Sequence, residues 1–257
     1  MLNYPEITRM ARNLLWLAVI ALALPVLGDD PADYKPEFVF ARLVYPSGRG
    51  FDFGFGRGTW ATDFPEADYK FMWGIQRLSG VRVQERENPV RITDESLFEY
   101  PYVYAVEVGY MNLGQAEAQR LREYLLRGGF LHADDFWGLD EFQNFQLQMR
   151  KVFPDRVMEE LPLDHEVFHT FFDLTSVMQI PNVTNACRGG RTWEDPSDTK
   201  PRILGIKDDK GRVMVVITYN SDLGDAWEWM DEPCYPALYS GQSYRMGLNF
   251  IIYAMSH

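Results

Sequence analysis

Apolar runs alternate with amphipathic stretches along most of the chain. The runs at 38–45, 102–108 and 130–131 are almost wholly apolar, which is typical of strands buried on both faces of a sheet. Between and after these runs, apolar residues recur at helical spacing. This alternation predicts a largely parallel sheet joined by right-handed crossover helices. The predicted helices cover 64–78, 113–127, 141–153 and 244–255, the second of them capped by Asn112 and ended by Gly128.

A hairpin signal follows in the C-terminal half. The apolar runs 203–206 and 213–219 flank Asp208-Asp209-Lys210-Gly211, a turn sequence that predicts an antiparallel pair at the edge of the sheet. In the N-terminal half, Asp63 and Glu66 are three residues apart, which is the spacing of a capping box at the start of the first predicted helix.

The first 28 residues have the features of an export signal. Arg9 and Arg12 precede an uncharged apolar run from Leu14 to Leu27, which is shorter than the ~20 residues of a membrane-spanning helix. A periplasmic or secreted location follows, with a retained N-terminal anchor as the alternative. The expected organisation is a signal peptide at 1–28, a tether at 29–37 and a single domain at 38–257.

Composition narrows the classes of partner. The 257 residues are 46% hydrophobic, which suits one globular domain. A net charge of −12 argues against nucleic-acid binding, because such surfaces are usually basic. Cys187 and Cys234 are the two cysteines, and after export they are expected to form a disulfide; two buried free thiols are the alternative.

Titratable residues stand where two predicted strands end. Glu107 closes one strand, and His132, Asp134 and Asp135 close the next. In open α/β sheets, sites gather outside the carboxyl ends of strands, so these four residues are the catalytic candidates. In an extended backbone the two adjacent carboxylates point to opposite sides. One is therefore expected to cap the following helix, and the other to face the crevice.

Two histidines provide a candidate metal site. His165 and His169 are four residues apart, so both imidazoles share one face if the segment is helical. Such a pair suits Zn²⁺, with Asp164 or Glu166 as hydrogen-bond acceptor for the ligating rings. The alternative is one structural and one solvated histidine.

Candidate ligand contacts lie around a glycine-rich loop after the first strand. Its glycines and Arg49 and Arg57 suit an anion, although a plain surface loop is the alternative. Trp60, Asp63 and Trp137 complete the ligand-binding candidates, since tryptophans near loops stack on sugars as well as packing in cores. The acidic run from Asp222 to Glu232 departs from the spacing of an EF-hand loop and is expected to be solvated.

Short motifs along most of the chain form a recognisable combination. They are Phe38–Leu43, Trp60–Pro65, Tyr100–Tyr104, Gly128–Leu131 with Asp134–Phe136, Val152–Pro154 and Arg245–Phe250. Together they resemble the DUF4159 family of bacterial envelope-associated proteins, some of which are fused to membrane proteins. The resemblance implies a three-layer, flavodoxin-like sheet similar to the class I glutamine amidotransferase-like superfold. In true amidotransferases of this type a cysteine follows the strand after the Gly-Gly helix stop, but His132-Ala133-Asp134 stands here, so acyl-enzyme chemistry is not expected.

The function expected from the sequence is that of an exported envelope protein. On an amidotransferase-like fold without the nucleophile, it would bind a small-molecule or glycan ligand, or a partner in an envelope or membrane complex. The alternative is a hydrolase of envelope glycans or peptides, dependent either on Zn²⁺ held by the two histidines or on carboxylates. A third hypothesis is a scaffold whose role is to complete a membrane complex.

Overall fold

Seven strands form one mixed sheet in the part of the chain that the structure, a computed structural model, describes. These residues are 35–48, 59–84, 86 and 88–257. The strands are β1 (Ala41–Val44), β2 (Asn88–Arg91), β3 (Tyr102–Val106), β4 (Phe130–Asp134), β5 (Glu159–Glu160), β6 (Arg202–Lys207) and β7 (Val213–Tyr219).

The spatial order of the strands is β2-β1-β3-β4-β7-β6-β5. Neighbours from β2 through to β7 run parallel, whereas β6 pairs antiparallel with both β7 and β5. This confirms a largely parallel α/β sheet with a C-terminal antiparallel hairpin. The order 2-1-3-4 is that of a doubly wound sheet, in which ligands bind outside the carboxyl ends of the strands.

Helices flank the sheet on both sides. The described helices are α1 (Glu66–Ser79), α2 (Gln115–Leu126), α3 (Gly138–Val152), α4 (Val183–Arg188), α5 (Leu223–Glu228) and α6 (Ala237–Ser256).

Two hydrophobic cores lie on the two faces of the sheet because side chains alternate along each buried strand. In β3, Tyr102 and Tyr104 belong to one core, together with residues of α1, α5 and α6. Val103 and Ala105 belong to the other core, together with residues of α2 and α3. Three layers result, as expected.

Several boundaries differ from the sequence prediction. The last helix begins at Ala237 rather than Tyr244, and β2 was not predicted because Pro89 interrupts it. The expected capping box is wrong: Pro65 precedes α1, and Asp63 has a left-handed backbone with φ 60°. The predicted signal peptide at 1–28 and residues 29–34 of the predicted tether lie outside the described residues. No helix among those described is both long and apolar enough to cross a bilayer.

A disulfide ties two segments near the carboxyl edge of the sheet. It joins Cys187 in α4 to Cys234, which follows α5. This is the pair that the sequence suggested, and neither sulfur remains as a free thiol.

A buried ion pair holds α1 against the sheet. Arg42 of β1 is fully buried, and its guanidinium binds the Asp68 carboxylate of α1, with an Nε–Oδ1 distance of 3.1 Å. The same guanidinium donates to the Thr62 carbonyl and lies 4.8 Å from the centre of the Tyr104 ring. It thereby fixes the chain that leads into α1.

We expect Asp68→Asn to lower the free energy of unfolding by about 3–5 kcal/mol, because it leaves a buried guanidinium without its counter-charge. The double variant Arg42→Met/Asp68→Leu removes both charges and should recover most of that loss. Urea unfolding of the three proteins checks this. A double variant as unstable as the single one would show that the charge balance is not what matters.

Candidate functional site

Tight reversals of the chain follow the strands at one edge of the sheet. Glu107, Asp135 and Asn220 come directly after β3, β4 and β7 and have φ values of 55°, 51° and 56°. Together with Asp63, they are the non-glycine residues of the described chain with a left-handed backbone. Such conformations cost energy and concentrate at functional sites. Since the strands are parallel, all three reversals lie at the same edge.

Five carboxylates converge at this edge and are called the carboxylate cluster here. Oxygens of Asp63, Asp222 and Asp225 lie within 4.8 Å of one another, and the same holds for Asp135, Glu194 and Asp222. Glu107 stands beside the cluster, because Val106 pairs with Asp134 across β3 and β4. The cluster therefore gathers residues from four separate parts of the chain.

One oxygen of the cluster accepts no hydrogen bond from an N–H or hydroxyl donor among the described residues. This oxygen, Asp63 Oδ2, is inaccessible to solvent, and the Asp63 and Asp225 carboxyl groups lie within hydrogen-bonding reach of each other. Gly224 lies against it, and a side chain at that position would collide with this oxygen. A buried acceptor without a donor is costly, which marks this oxygen as a place for a ligand.

Neighbouring donors orient the other four carboxylates. The donor–acceptor distances are 2.8 Å from Trp137 Nε1 to Asp135 Oδ1, 2.6 Å from Asn182 Nδ2 to Glu194 Oε1, 2.7 Å from Asp225 N to Asp222 Oδ1 and 2.7 Å from Val183 N to Asp225 Oδ2. Each carboxylate keeps further lone pairs for a ligand, because an ionised carboxylate offers about four acceptor positions.

Like charges in a buried site raise the pKa values of these groups. Burial, followed by the neighbouring carboxylates, raises the pKa of Asp63, Asp135 and Asp222 well above the usual range. Burial and the charges of Glu141 and Glu194 raise the pKa of Glu107 to about 8. Burial raises the pKa of Glu194 to about 7. The metal-free cluster therefore retains protons at neutral pH.

Asp134 has a structural role next to the cluster. Its Oδ2 accepts hydrogen bonds from Tyr104 Oη at 2.6 Å and from the amides of Leu223 and Gly224 at 2.9 and 3.3 Å. It thereby holds the N-terminus of α5. The expectation that one of the two adjacent aspartates caps the following helix is wrong, because Trp137 occupies the N-cap of α3 and Asp134 serves a helix distant in sequence.

His132 lies in the core rather than in the crevice. Its Nδ1 is 2.8 Å from Tyr102 Oη, and its Nε2 is 3.1 Å from Thr218 Oγ1. Complete burial lowers its pKa to about 3. A neutral, fully hydrogen-bonded imidazole on the inner face of β4 packs the sheet and does not reach a ligand at the edge.

The histidine pair does not share a helical face. His165 has an extended backbone, and only the short 3₁₀ turn Glu166–Phe168 separates it from His169. The His165 ring lies 6.3 Å from that of Tyr253, whose hydroxyl binds the amide of Val213, where β7 begins. Asp222 follows the other end of β7, so His165 lies near the opposite edge of the sheet. The Nδ1 atom of His169 lies 3.1 Å from Asp173 Oδ1, and its Nε2 atom lies 2.8 Å from the carbonyl oxygen of Leu163.

A cleft of about 540 Å³ lies next to the cluster, although the five cluster carboxylates are not among its lining residues. Trp137, whose Nε1 binds Asp135, and Asp195, which follows Glu194, line it and relate it to the cluster. Gly109, Asn112, Trp137 and Asn144 are among its lining residues. Trp137 is only 5% exposed, so it serves to position Asp135 and not as an open stacking platform. Trp60 packs against Phe64 with 5.7 Å between ring centres. Arg49 and Arg57, the other predicted ligand contacts, lie outside the described residues.

Sequence reasoning missed three members of the cluster. Asp222 and Asp225 were expected in a solvated loop, but both are buried, because the segment folds back as α5 against the edge. Asp222 follows the buried strand β7 just as Asp135 follows β4, and the same rule applied there would have identified it. Glu194 comes from an irregular segment that carries no comparable signal.

Together, the sheet and its edge define an α/β protein with a carboxylate-lined site beyond the ends of its parallel strands. Residues 39–255 match the family described as "Domain of unknown function (DUF4159)", and the chain belongs to that family. This confirms the resemblance seen in the sequence motifs. A comparison with curated proteins finds no match.

In the absence of divalent cations, we expect the protein to lose stability as pH rises from about 6.5 to about 8. Below that window the buried, neutral His132, whose pKa falls from 6.5 to about 3 on folding, contributes the opposite slope. The pKa of Glu107 moves from 4.5 to about 8 and that of Glu194 from 4.5 to about 7 on folding, so the folded state holds protons that the unfolded chain releases. Melting curves in a chelating buffer check this. Glu107→Gln should flatten the upper part of the window, and a melting temperature that rises with pH would contradict the electrostatic account.

Proposed function

We propose that this protein is an exported binding module whose carboxylate cluster holds a hard divalent cation. The observation that carries the proposal is the Asp63 carboxylate. Its Oδ2 is inaccessible to solvent and accepts no hydrogen bond from a described N–H or hydroxyl donor, and one of its oxygens lies within 4.8 Å of oxygens from Asp222 and Asp225. A divalent cation supplies what this oxygen lacks and removes the mutual repulsion of the three charges.

The chemistry of the donors determines the class of cation. All members of the cluster are carboxylates, and neither a histidine nor a cysteine belongs to either group of three in the described chain. Ca²⁺, Mg²⁺ and Mn²⁺ prefer oxygen ligands, whereas Zn²⁺ is usually held by nitrogen and sulfur. The proposal therefore departs from the Zn²⁺ site first suggested by His165 and His169.

Local basic residues do not neutralise the cluster. Arg42 lowers the pKa of Asp63 only as a lesser effect, and its guanidinium is already bound to Asp68. Arg191 acts on Glu194, and its Nε donates to Asn185 at 3.3 Å. Neither residue offsets the combined charge of the buried carboxylates, which favours a cation from solution.

The adjoining cleft supports a binding role. Its volume of about 540 Å³ falls in the range of small-ligand pockets. The amides of Asn112 and Asn144 and the carboxylates of Asp140, Glu141 and Asp195 line it, which suits a polar ligand with hydroxyl donors, such as a glycan fragment. Export is supported by the apolar N-terminal run and by the Cys187–Cys234 disulfide, since disulfides persist in oxidising compartments. An envelope or membrane-complex protein remains the proposed macromolecular partner.

The second candidate is a carboxylate-dependent hydrolase of envelope glycans or peptides. The cleft next to a cation-binding cluster favours it, because a bound divalent cation activates water for hydrolysis. Incubation of the Mn²⁺-loaded protein with envelope glycans and peptides separates the two. Cleavage that is lost in Asp222→Asn supports the hydrolase, and ligand binding without cleavage supports the module.

We expect saturating Ca²⁺ or Mn²⁺ to raise the melting temperature by about 5–10 °C at 100 times the dissociation constant. This follows from a linkage energy of about 2.7 kcal/mol and the usual shift per kcal/mol for a domain of this size. Asp222→Asn should abolish the increase, because Asp222 belongs to both groups of three. Asparagine still accepts the hydrogen bond from Asp225 N, so the helix cap survives.

Asp164→Asn is the matched control, since it removes one carboxylate that is exposed and outside the cluster. It should leave the metal-induced stabilisation unchanged. Equal stabilisation of Asp222→Asn and of the unsubstituted protein would show that the cations bind elsewhere and would refute the proposal.

A further inference from the structure

Asp222 belongs to both groups of three carboxylates. One group places it with Asp63 and Asp225, and the other places it with Asp135 and Glu194. The two groups share no other residue. Two adjacent sites with one residue in common are the arrangement in which a carboxylate bridges two metal ions, typically about 3.5–4 Å apart.

Each group has the size that a cation needs. Three oxygens no more than 4.8 Å from one another fit within a circle of radius about 2.8 Å. Ca²⁺–oxygen distances are about 2.3–2.6 Å, and Mg²⁺–oxygen distances about 2.0–2.1 Å. Side-chain shifts of a few tenths of an ångström therefore bring each group to Ca²⁺ distances, and somewhat larger shifts to Mg²⁺ distances.

The charge of the cluster also exceeds what one cation neutralises. Five carboxylates carry a charge of −5 when ionised, so one divalent ion leaves a net charge of −3. A cation held by Asp63 and Asp225 leaves Asp135 and Glu194 facing each other as like charges in a mostly buried site. A second cation removes that repulsion as well.

In each group, at least one oxygen receives no hydrogen bond from the donors described above. Asp63 Oδ2 accepts no hydrogen bond from a described N–H or hydroxyl donor and is buried, so it is available to the first ion. In the second group, Trp137 Nε1 binds only Asp135 Oδ1 and Asn182 Nδ2 binds only Glu194 Oε1. Asp135 Oδ2 and Glu194 Oε2 therefore receive no hydrogen bond from these donors.

We propose that Asp222 bridges two hard divalent cations, one completed by Asp63 and Asp225 and the other by Asp135 and Glu194. This rests on the proposed cation-binding function and specifies it as a binuclear centre. The remaining positions around each ion are open to water or to oxygen atoms of a ligand from the adjoining cleft. A ligand with two adjacent oxygens, such as a phosphoryl or carboxylate group, suits a pair of ions.

The test is a titration of the full chain with Mn²⁺, in which calorimetry measures the number of ions bound and electron paramagnetic resonance measures the coupling between them. We expect two Mn²⁺ ions per chain and a spectrum showing exchange coupling between them. Asp63→Asn and Glu194→Gln each weaken one site and should leave one ion with the simple sextet of isolated Mn²⁺. Asp222→Asn should weaken both sites, and Asp164→Asn should bind as the unsubstituted protein does.

The possible stoichiometries separate this inference from the proposed function. One Mn²⁺ per chain overturns the binuclear centre but leaves the cation-binding module intact. Binding of no Mn²⁺ overturns both. Two ions without coupling overturn the bridging role of Asp222.

The Asp63→Asn and Glu194→Gln variants should both fold. Asp63 Oδ2 accepts no hydrogen bond from a described N–H or hydroxyl donor, and Glu194→Gln keeps a side-chain oxygen for Asn182. Circular dichroism checks this.

Discussion

The site depends on the parallel alignment of β1, β3, β4 and β7. Parallel strands end at the same edge, so the residues that follow them are brought together however far apart they are in sequence. The backbone turns sharply there, with Glu107, Asp135 and Asn220 in the left-handed region. These conformations are costly, and the packed strands on either side hold them in place. The sheet thus supplies the position of the carboxylates as well as the core.

The same alignment brings several acidic side chains close together, and other parts of the fold neutralise some of them. One acidic residue, Asp134, is satisfied by the N-terminus of α5 and by Tyr104, so it stabilises the fold without contributing to the cluster. Asp68 is satisfied by Arg42, which joins α1 to the sheet. The five cluster carboxylates keep coordination positions that these interactions do not fill. Acids that stabilise the fold and acids of the cluster therefore lie close together and differ in the donors that surround them.

The sequence predicts the elements better than it predicts the site. Buried strands such as β3 and β4 are continuous apolar runs, and a polar residue directly after such a run marks the edge, which is how Glu107 and Asp135 are recognised. Asp225 and Glu194 are not recognisable in this way, because their burial comes from packing of segments that look polar and irregular in isolation. Asp63 resembles a helix cap, and its left-handed backbone has no local signature. His132 lies in the middle of β4, two residues before the strand ends, so it is buried between the sheet and its helices and does not reach the edge.

The Cys187–Cys234 bond encloses a segment of chain that contains Glu194, Asp222 and Asp225. Three of the five cluster residues are thus confined to one covalent ring, which also contains β6 and β7. Such a ring removes much of the conformational freedom of the unfolded segment. A chain with both thiols reduced must gather these acids, which repel one another, without that restraint. Formation of the disulfide and assembly of the acidic cluster are consequently linked, and a reducing environment withholds the restraint that brings these acids together.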